Sequence, residues 1–429
     1  MLLVAIFILG YLAIVFEHPL GVNKAAPALL AGVLCWTAYV VGGDARAVDA
    51  QLLHHLGELS QILFFLLGAM TIVELIDAHD GFEIVTALIT TRSRRRLLAT
   101  VALAAFVLSA VLDNLTASIV MMSLVRKLVP GETDRRYFAG IVIVAANSGG
   151  VWSPIGDVTT TMLWVGGQLT AGELVRQLVL PALASILVPL VWIGARLRGQ
   201  LTEPAGAEAE PPEARRVAEP TAPWERRLVL GAGVCVLLFV PVFKTLTHLP
   251  PMMGVLLGLG ALWALTELLH KRKNDEARGA LSAAAALQRV DAQSVLFFLG
   301  ILLAISALES AGHLTGLAAV MDAAIGNVDV ITISIGLSSS VIDNVPLVAA
   351  AQGMYPLATF PQDHHFWVFL AYCAGTGGSI LIIGSAAGIA VMGIQRITFG
   401  WYVRHLSLPA LLGYAAGALV YLALVAARA

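Results

Sequence analysis

Apolar runs of about bilayer length follow one another along this chain, separated by short polar turns. A membrane span needs roughly 20 apolar residues. Runs of that kind lie at about 2–16, 25–42, 57–77, 137–166, 172–195, 228–248, 252–270, 293–311, 365–395 and 405–427. The first has no Lys or Arg ahead of its apolar core and no small-residue cleavage site after it, so it is expected to be a span and not a cleaved signal. The stretch 199–227 breaks the pattern. It gathers Pro204, Pro211, Pro212, Pro220 and Pro223 among six glutamates and four arginines, and reads as a solvated linker between two halves.

Two further apolar stretches have arms too short to cross. Leu97 to Leu124 lies between the basic clusters Arg92, Arg94, Arg95, Arg96 and Arg126, Lys127, Arg135, Arg136, and Asp113-Asn114 interrupts its centre. Short cytoplasmic loops accumulate Lys and Arg, so both ends are expected to be cytoplasmic. A re-entrant hairpin over 97–129 follows, with Asp113-Asn114 at its tip. Such backbone is tolerated at membrane depth only where it faces protein or a water-filled cavity. Val330 to Ile342 and Val345 to Leu357 repeat the design around Asp343-Asn344, and no Lys or Arg occurs between Arg289 and Arg396. The second hairpin, 330–358, is therefore expected to dip in from outside.

Direct comparison of the halves supports an inversion. Phe64-Phe65-Leu66 matches Phe297-Phe298-Leu299, Leu112 to Leu115 matches Ile342 to Val345, and Ser148-Gly149-Gly150 with Gly156 matches Thr376-Gly377-Gly378 with Gly384. The three matches keep their order at nearly one offset. The predicted fold is an all-α polytopic membrane protein with an inverted-topology repeat: about ten crossings, two re-entrant hairpins and two broken helices. The first repeat covers 1–198 with its broken helix at 137–166. The linker 199–227 is cytoplasmic, and the second repeat covers 228–429 with its broken helix at 365–395. Both termini are expected outside.

Composition narrows the function. The chain is 58% hydrophobic and 13% charged, with a mean hydropathy of +0.85. Soluble domains carry about 25% charged residues, so a soluble enzyme, a nucleic-acid binder and a disordered protein are all poor readings. A net charge of −2 offers no basic field for nucleic acid. Cys35, Cys235 and Cys373 are far apart, each inside an apolar run, and read as packing residues.

The candidate chemistry lies in the two broken spans. Asn147 to Asp157 reads Asn-Ser-Gly-Gly-Val-Trp-Ser-Pro-Ile-Gly-Asp, followed by Thr159-Thr160-Thr161; the second break reads Gly375-Thr376-Gly377-Gly378-Ser379, then Gly384-Ser385. Paired glycines and Pro154 free backbone carbonyls and expose half-helix ends near the midplane, where secondary transporters bind their cargo. The plainer alternative is a packing kink with small residues for close helix approach. An intramembrane carboxylate costs about 2.5–3.5 kcal/mol on insertion scales and is a functional hypothesis by default; Asp113, Asp157 and Asp343 all sit at breaks. Oxygen-only ligation suits hard cations. No Lys or Arg lies within these motifs to receive an anion.

These motifs resemble the NhaD-type sodium/proton antiporters of the ion transporter superfamily, over about 55–427, with Asn147 to Thr161 the most specific part. The resemblance implies a scaffold domain, a transport domain holding both hairpins and both broken helices, elevator-like alternating access, and commonly a homodimer. It marks Asp113, Asn114, Thr116, Asn147, Asp157, Thr159, Thr160, Asp343 and Asn344 as functional positions. The expected activity is exchange of Na⁺, and also Li⁺, for H⁺, serving pH homeostasis at the inner membrane with no cofactor. Asp157, Asp113 and Asp343 are the expected exchanging carboxylates. Na⁺ would be held at Asp113, Asn114, Asp157, Asp343 and Asn344. Thr116, Asn147, Thr159, Thr160, Thr376 and Ser379 would support it, with Ser385 a further hydroxyl. Asp157 aligns with Ser385, so one dominant carboxylate is expected.

The alternatives are a cation-coupled carrier of a small anion and an arsenite-type efflux carrier. A membrane enzyme fits poorly, since no metal cluster, nucleophile–base pair or cofactor motif is present in the sequence. Glu74, Asp77 and Glu309 near span ends read as a proton path or as interfacial groups. His54-His55 and His364-His365 read as loop residues or a pH sensor. Lys244 and Glu267 are expected to pair between neighbouring spans or to snorkel. The Arg92–Arg96 run suits anionic lipid headgroups or topology alone.

Overall fold

The computed structural model describes residues 2–41, 44–87, 91, 93–197, 199–200, 221–271 and 273–428. Most of the linker and Arg92 fall outside them. Regular structure among these residues is helical, apart from one isolated bridge between Ser93 and Gln200. In chain order the helices of eight residues or more are α1 (Leu2–Val15), α2 (Ala25–Val41), α3 (Ala45–Ala78), α4 (Arg94–Val111), α5 (Asn114–Leu128), α6 (Glu132–Gly150), α7 (Val158–Val165) and α8 (Ala171–Arg196). After the linker come α9 (Pro223–Thr247), α10 (Pro251–His270), α11 (Ala292–Ser310), α12 (His313–Ile325), α13 (Val328–Ser338) and α14 (Asn344–Met354). The chain ends with α15 (His365–Gly377), α16 (Ala386–Gln395) and α17 (Leu408–Ala426).

Six described helical stretches are individually long and apolar enough to cross a membrane: α3, α8, α9, α10, α11 and Phe399–Ala426, which is α17 with the turns leading into it. The interruptions fall at small and capping residues. Asp113 ends the approach of α4 and caps α5, accepting from the Thr116 N–H at 2.8 Å. Asp343 does the same for α14, accepting from the Val345 N–H at 3.2 Å. Asp157 caps α7 and Ser385 caps α16, so each of these four helices starts on a side-chain oxygen.

Two elements depart from the pattern read in the sequence. The third helix begins at Ala45, well before 57, because Asp44 caps it and the polar residues His54, His55 and Glu58 are carried on its faces. Helix α12 fills a stretch too short to register as a span, and it meets α13 at 116°. Lys244 and Glu267 do not pair with each other. The Lys244 ammonium donates to the Trp164 carbonyl at 2.6 Å and lies over that indole, while Glu267 accepts from Trp263 on its own helix at 2.7 Å. Each group finds a nearer partner than the other span offers.

The two halves pack alike down to single atoms. Ser109 at the end of α4 donates to the Ala146 carbonyl of α6 at 2.6 Å, and Ser339 just after α13 donates to the Ala374 carbonyl of α15 at 2.7 Å. A methyl group on Gly149 would stand 2.2 Å from the Phe106 carbonyl oxygen, and one on Gly377 would stand 2.0 Å from that of Gly336. Each hairpin therefore lies directly on the backbone of the following broken helix, an approach open only to glycine. Elsewhere small residues serve the same end: Gly32 and Gly300 seat α2 on α11, and Gly413 of α17 rests on the Ser185 carbonyl of α8. That carbonyl is left free by Pro189, which has no N–H to offer it. The three cysteines are free thiols, Cys35 and Cys373 buried and Cys235 exposed.

Candidate ion-exchange site

The breaks in α6–α7 and α15–α16 bring their capping residues to the hairpin tips. At their meeting point lies the carboxylate of Asp157, 2% exposed. Its Oδ1 accepts from the Thr159 N–H at 2.8 Å and from the Thr159 hydroxyl at 2.7 Å. Its Oδ2 accepts from the Asn114 amide at 2.7 Å, and the Asn344 amide lies 3.4 Å from both oxygens. One asparagine from each hairpin tip thus closes on a single carboxylate, although the two asparagines stand 230 residues apart.

A second asparagine layer ties the halves together. Asn147, fully buried, accepts from Asn114 at 3.1 Å and donates to the hydroxyls of Ser379 and Ser385, both at 2.9 Å. Ser385 in turn accepts from the Gly388 N–H at 3.1 Å, and Tyr402 donates to the Ser379 carbonyl at 2.7 Å. Thr160 donates to the Asp157 carbonyl at 2.9 Å and Thr161 to that of Pro154 at 2.9 Å, which holds the start of α7 against the break. The Thr376 hydroxyl is spent on the Tyr372 carbonyl of its own helix at 2.5 Å.

The other two aspartates are placed differently. Asp113 turns both oxygens to Thr116, receiving its N–H at 2.8 Å and its hydroxyl at 2.6 Å, and borders a small cavity of about 30 Å³ with Met70, Val73 and Leu237. Asp343 faces Lys24, whose ammonium is 3.6 Å from Oδ2. Lys24 was not a candidate from the sequence. Its signal was available: it is the only Lys or Arg before Arg46. Glu74 and Glu309 lie outside the asparagine cluster.

Two larger cavities open at opposite ends of α11. One, of about 280 Å³, is lined by His55, Glu58, Gln168, Glu309 and Gln352, and reaches Met162 of α7 and Ala349 of α14. The other, of about 210 Å³, is lined by Glu17, Lys24 and Asp291, and reaches Leu115 at the first tip and Ala386 at the start of α16. A buried carboxylate at two matched helix breaks, with a cavity toward each end, defines a secondary transporter.

The comparisons with known proteins make the class specific. The citrate transporter family, CitMHS, matches residues 11–371. Sodium/proton antiporter 1 of Arabidopsis thaliana is 49% identical over 97% of this chain and 71% of its own length. The Na⁺/H⁺ antiporter NhaD of Halomonas elongata is 31% identical over 98% of this chain and 87% of its own length. Among solved structures, the Alcanivorax borkumensis YdaH transporter, described as having an unusual topology, shares the fold at a TM-score of 0.57 and 12% identity, covering 88% of each chain. The chain belongs to the ion transporter superfamily, among the NhaD-type sodium/proton antiporters.

Proposed function

We propose that this protein exchanges Na⁺, and Li⁺ with it, for H⁺ across the membrane, with Asp157 the group over which cation and proton compete. The observation that carries this is the convergence of both hairpin tips and both helix breaks on that one carboxylate, whose side-chain partners Asn114, Asn344 and Thr159 are all neutral. A carboxylate in such a place does not stand as a bare charge. It holds a proton or shares a cation. Asn114 and Asn344 donate to it, and rotation of their amides would bring oxygens that, with the Thr159 hydroxyl, suit a hard, dehydrated monovalent ion. Alternate exposure of the site toward the two cavities then couples the two flows, because each departure is permitted only by the other arrival.

The rest of the reading follows the same frame. The protein moves ions without making or breaking covalent bonds and needs no resident cofactor. It works as a homodimer in the inner membrane of a bacterium, in contact with lipid. The basic clusters and the linker face the cytoplasm and both termini lie outside. Asp113 and Asp343 support the site from the tips. The match to the citrate transporter family favours a second reading, a carrier of a small anion.

Purified protein in vesicles with an acidic lumen and a pH-sensitive dye separates the two. NaCl and LiCl should collapse the proton gradient, KCl should not, and Asp157→Asn should abolish the response with the protein correctly inserted. Collapse by citrate, with none by NaCl, would replace exchange by anion carriage.

A further inference from the structure

Lys24 stands just ahead of α2, on a turn anchored to the start of α11. The Asn23 amide donates to Gln293 at 2.8 Å, its oxygen caps the Ala25 N–H at 2.9 Å, and the Lys24 N–H donates to Glu17 at 3.1 Å. From this fixed base the side chain reaches inward. Its ammonium lies 4.4 Å from the centroid of the buried Phe297 ring and 3.6 Å from the Asp343 carboxylate. The two charged side chains are only 21% and 18% exposed. Asp343 caps α14, and the next residue, Asn344, carries the amide that meets Asp157. The ammonium therefore sits one residue from the exchange site, held by helices that do not contribute to it.

We infer that Lys24 is a positioning residue: a tethered cation that occupies the Asp343 carboxylate and so withdraws it from the free cation, leaving Asp157 to make the exchange. This rests on the exchange reading above. Of the charges around it, Glu17 and Asp291 border the same cavity, and Glu17 is already engaged by the backbone of Lys24. The Phe297 face adds a cation–π contact that a hydrated ion would not match. With the pair intact the second tip is electrically neutral toward the site; with either member removed it is not.

The test is the Na⁺ concentration giving half-maximal exchange in Lys24→Met, Asp343→Asn and the double variant. Asparagine caps a helix about as well as aspartate, so the second change removes charge and keeps the fold of the tip. Lys24→Met bares a carboxylate beside the site and should lower the half-saturating Na⁺ concentration. Asp343→Asn bares an ammonium and should raise it. Each shift should be about tenfold, the order expected for one charge acting over about 10 Å at an effective dielectric of about 20. The double variant should return to within about twofold of wild type, and Lys24→Arg should stay close to it. Shifts of the same sign in both single variants, or a double variant no better than the worse single one, would overturn the inference. If wild-type protein shows no Na⁺-driven exchange, the functional reading fails instead. The pair is then judged by melting temperature, where failure of the double variant to recover what Lys24→Met loses would overturn it as well.

Discussion

Gly377→Ala is the most direct probe of how the broken helices are held. The added methyl carbon would lie 2.0 Å from the Gly336 carbonyl oxygen, roughly 1.4 Å inside the lower limit of ordinary van der Waals contact. The obstacle is backbone of a second helix and not the end of a flexible side chain, so α13 and α15 must part. Overpacking of this kind costs about 1–3 kcal/mol, and with no soft neighbour the upper end applies. At about 2–4 °C per kcal/mol, the melting temperature should fall by roughly 6–12 °C. Ser379, two residues on, accepts from Asn147, so the displacement passes into the exchange site. A misplacement of about 1 Å there can cost on the order of a hundredfold in rate. The assays are thermal unfolding in detergent and Na⁺-driven proton exchange in vesicles, with Gly393→Ala as control because nothing lies within 4 Å of a methyl there. Gly149→Ala, its counterpart in the first half, should behave like Gly377→Ala. A Gly377→Ala protein as stable and as active as Gly393→Ala would refute the reasoning.

Asn147→Ala removes an acceptor from Asn114 and a donor from two buried serines. At about 1–3 kcal/mol for each buried polar group left without a partner, it should melt several degrees lower and lose most exchange, whereas Ser379→Ala alone should cost less on both measures. At another point His79 and His270 stack with 5.0 Å between ring centroids, their Nε2 atoms 2.8 Å apart, while His79 Nδ1 donates to the Leu75 carbonyl at 2.6 Å. Burial, the largest influence, holds the His79 ring below its ordinary value of about 6.5, with Lys273 acting the same way against Glu225 and Asp80. The unfolded chain then binds a proton that the folded one resists, so stability should be full above about pH 7 and fall as pH drops through about 6.5. His79→Gln should flatten the melting temperature between pH 7 and 5.5; an unchanged slope would show that other groups set it.

The run from Asn147 to Thr161 and the two Asp-Asn dipeptides stood out in the sequence because polar groups inside apolar spans are too costly to lack a reason. That cost says where chemistry lies but not which group receives which. Asp113, Asp157 and Asp343 look alike as letters, and only folding shows that one gathers amides, one caps its own hairpin arm and one meets an ammonium. Lys24 escaped notice because it precedes a span, where a basic residue usually marks topology and nothing more. Helix α12 escaped for a different reason: an exposed thirteen-residue helix leaves no span-length apolar run. The glycine contacts were legible in kind, since Gly149-Gly150 and Gly377-Gly378 align, whereas the carbonyls they rest on belong to hairpins whose register no periodicity reveals.

The hydrogen bonds of Asn147 also bear on how the protein is made. Its acceptors Ser379 and Ser385 lie 232 and 238 residues further along the chain. At about 5–20 residues per second, roughly 10–50 s of synthesis separate the asparagine from its partners. Throughout that interval the oxygen of the Asn147 amide can already meet Asn114, but its N–H groups lie in a span without the serines that accept from them. Water, the insertion machinery or a temporary neighbour must shelter them until the second half arrives. The exchange site is thus completed only when the second broken helix has been made, long after the carboxylate at its centre is in the membrane.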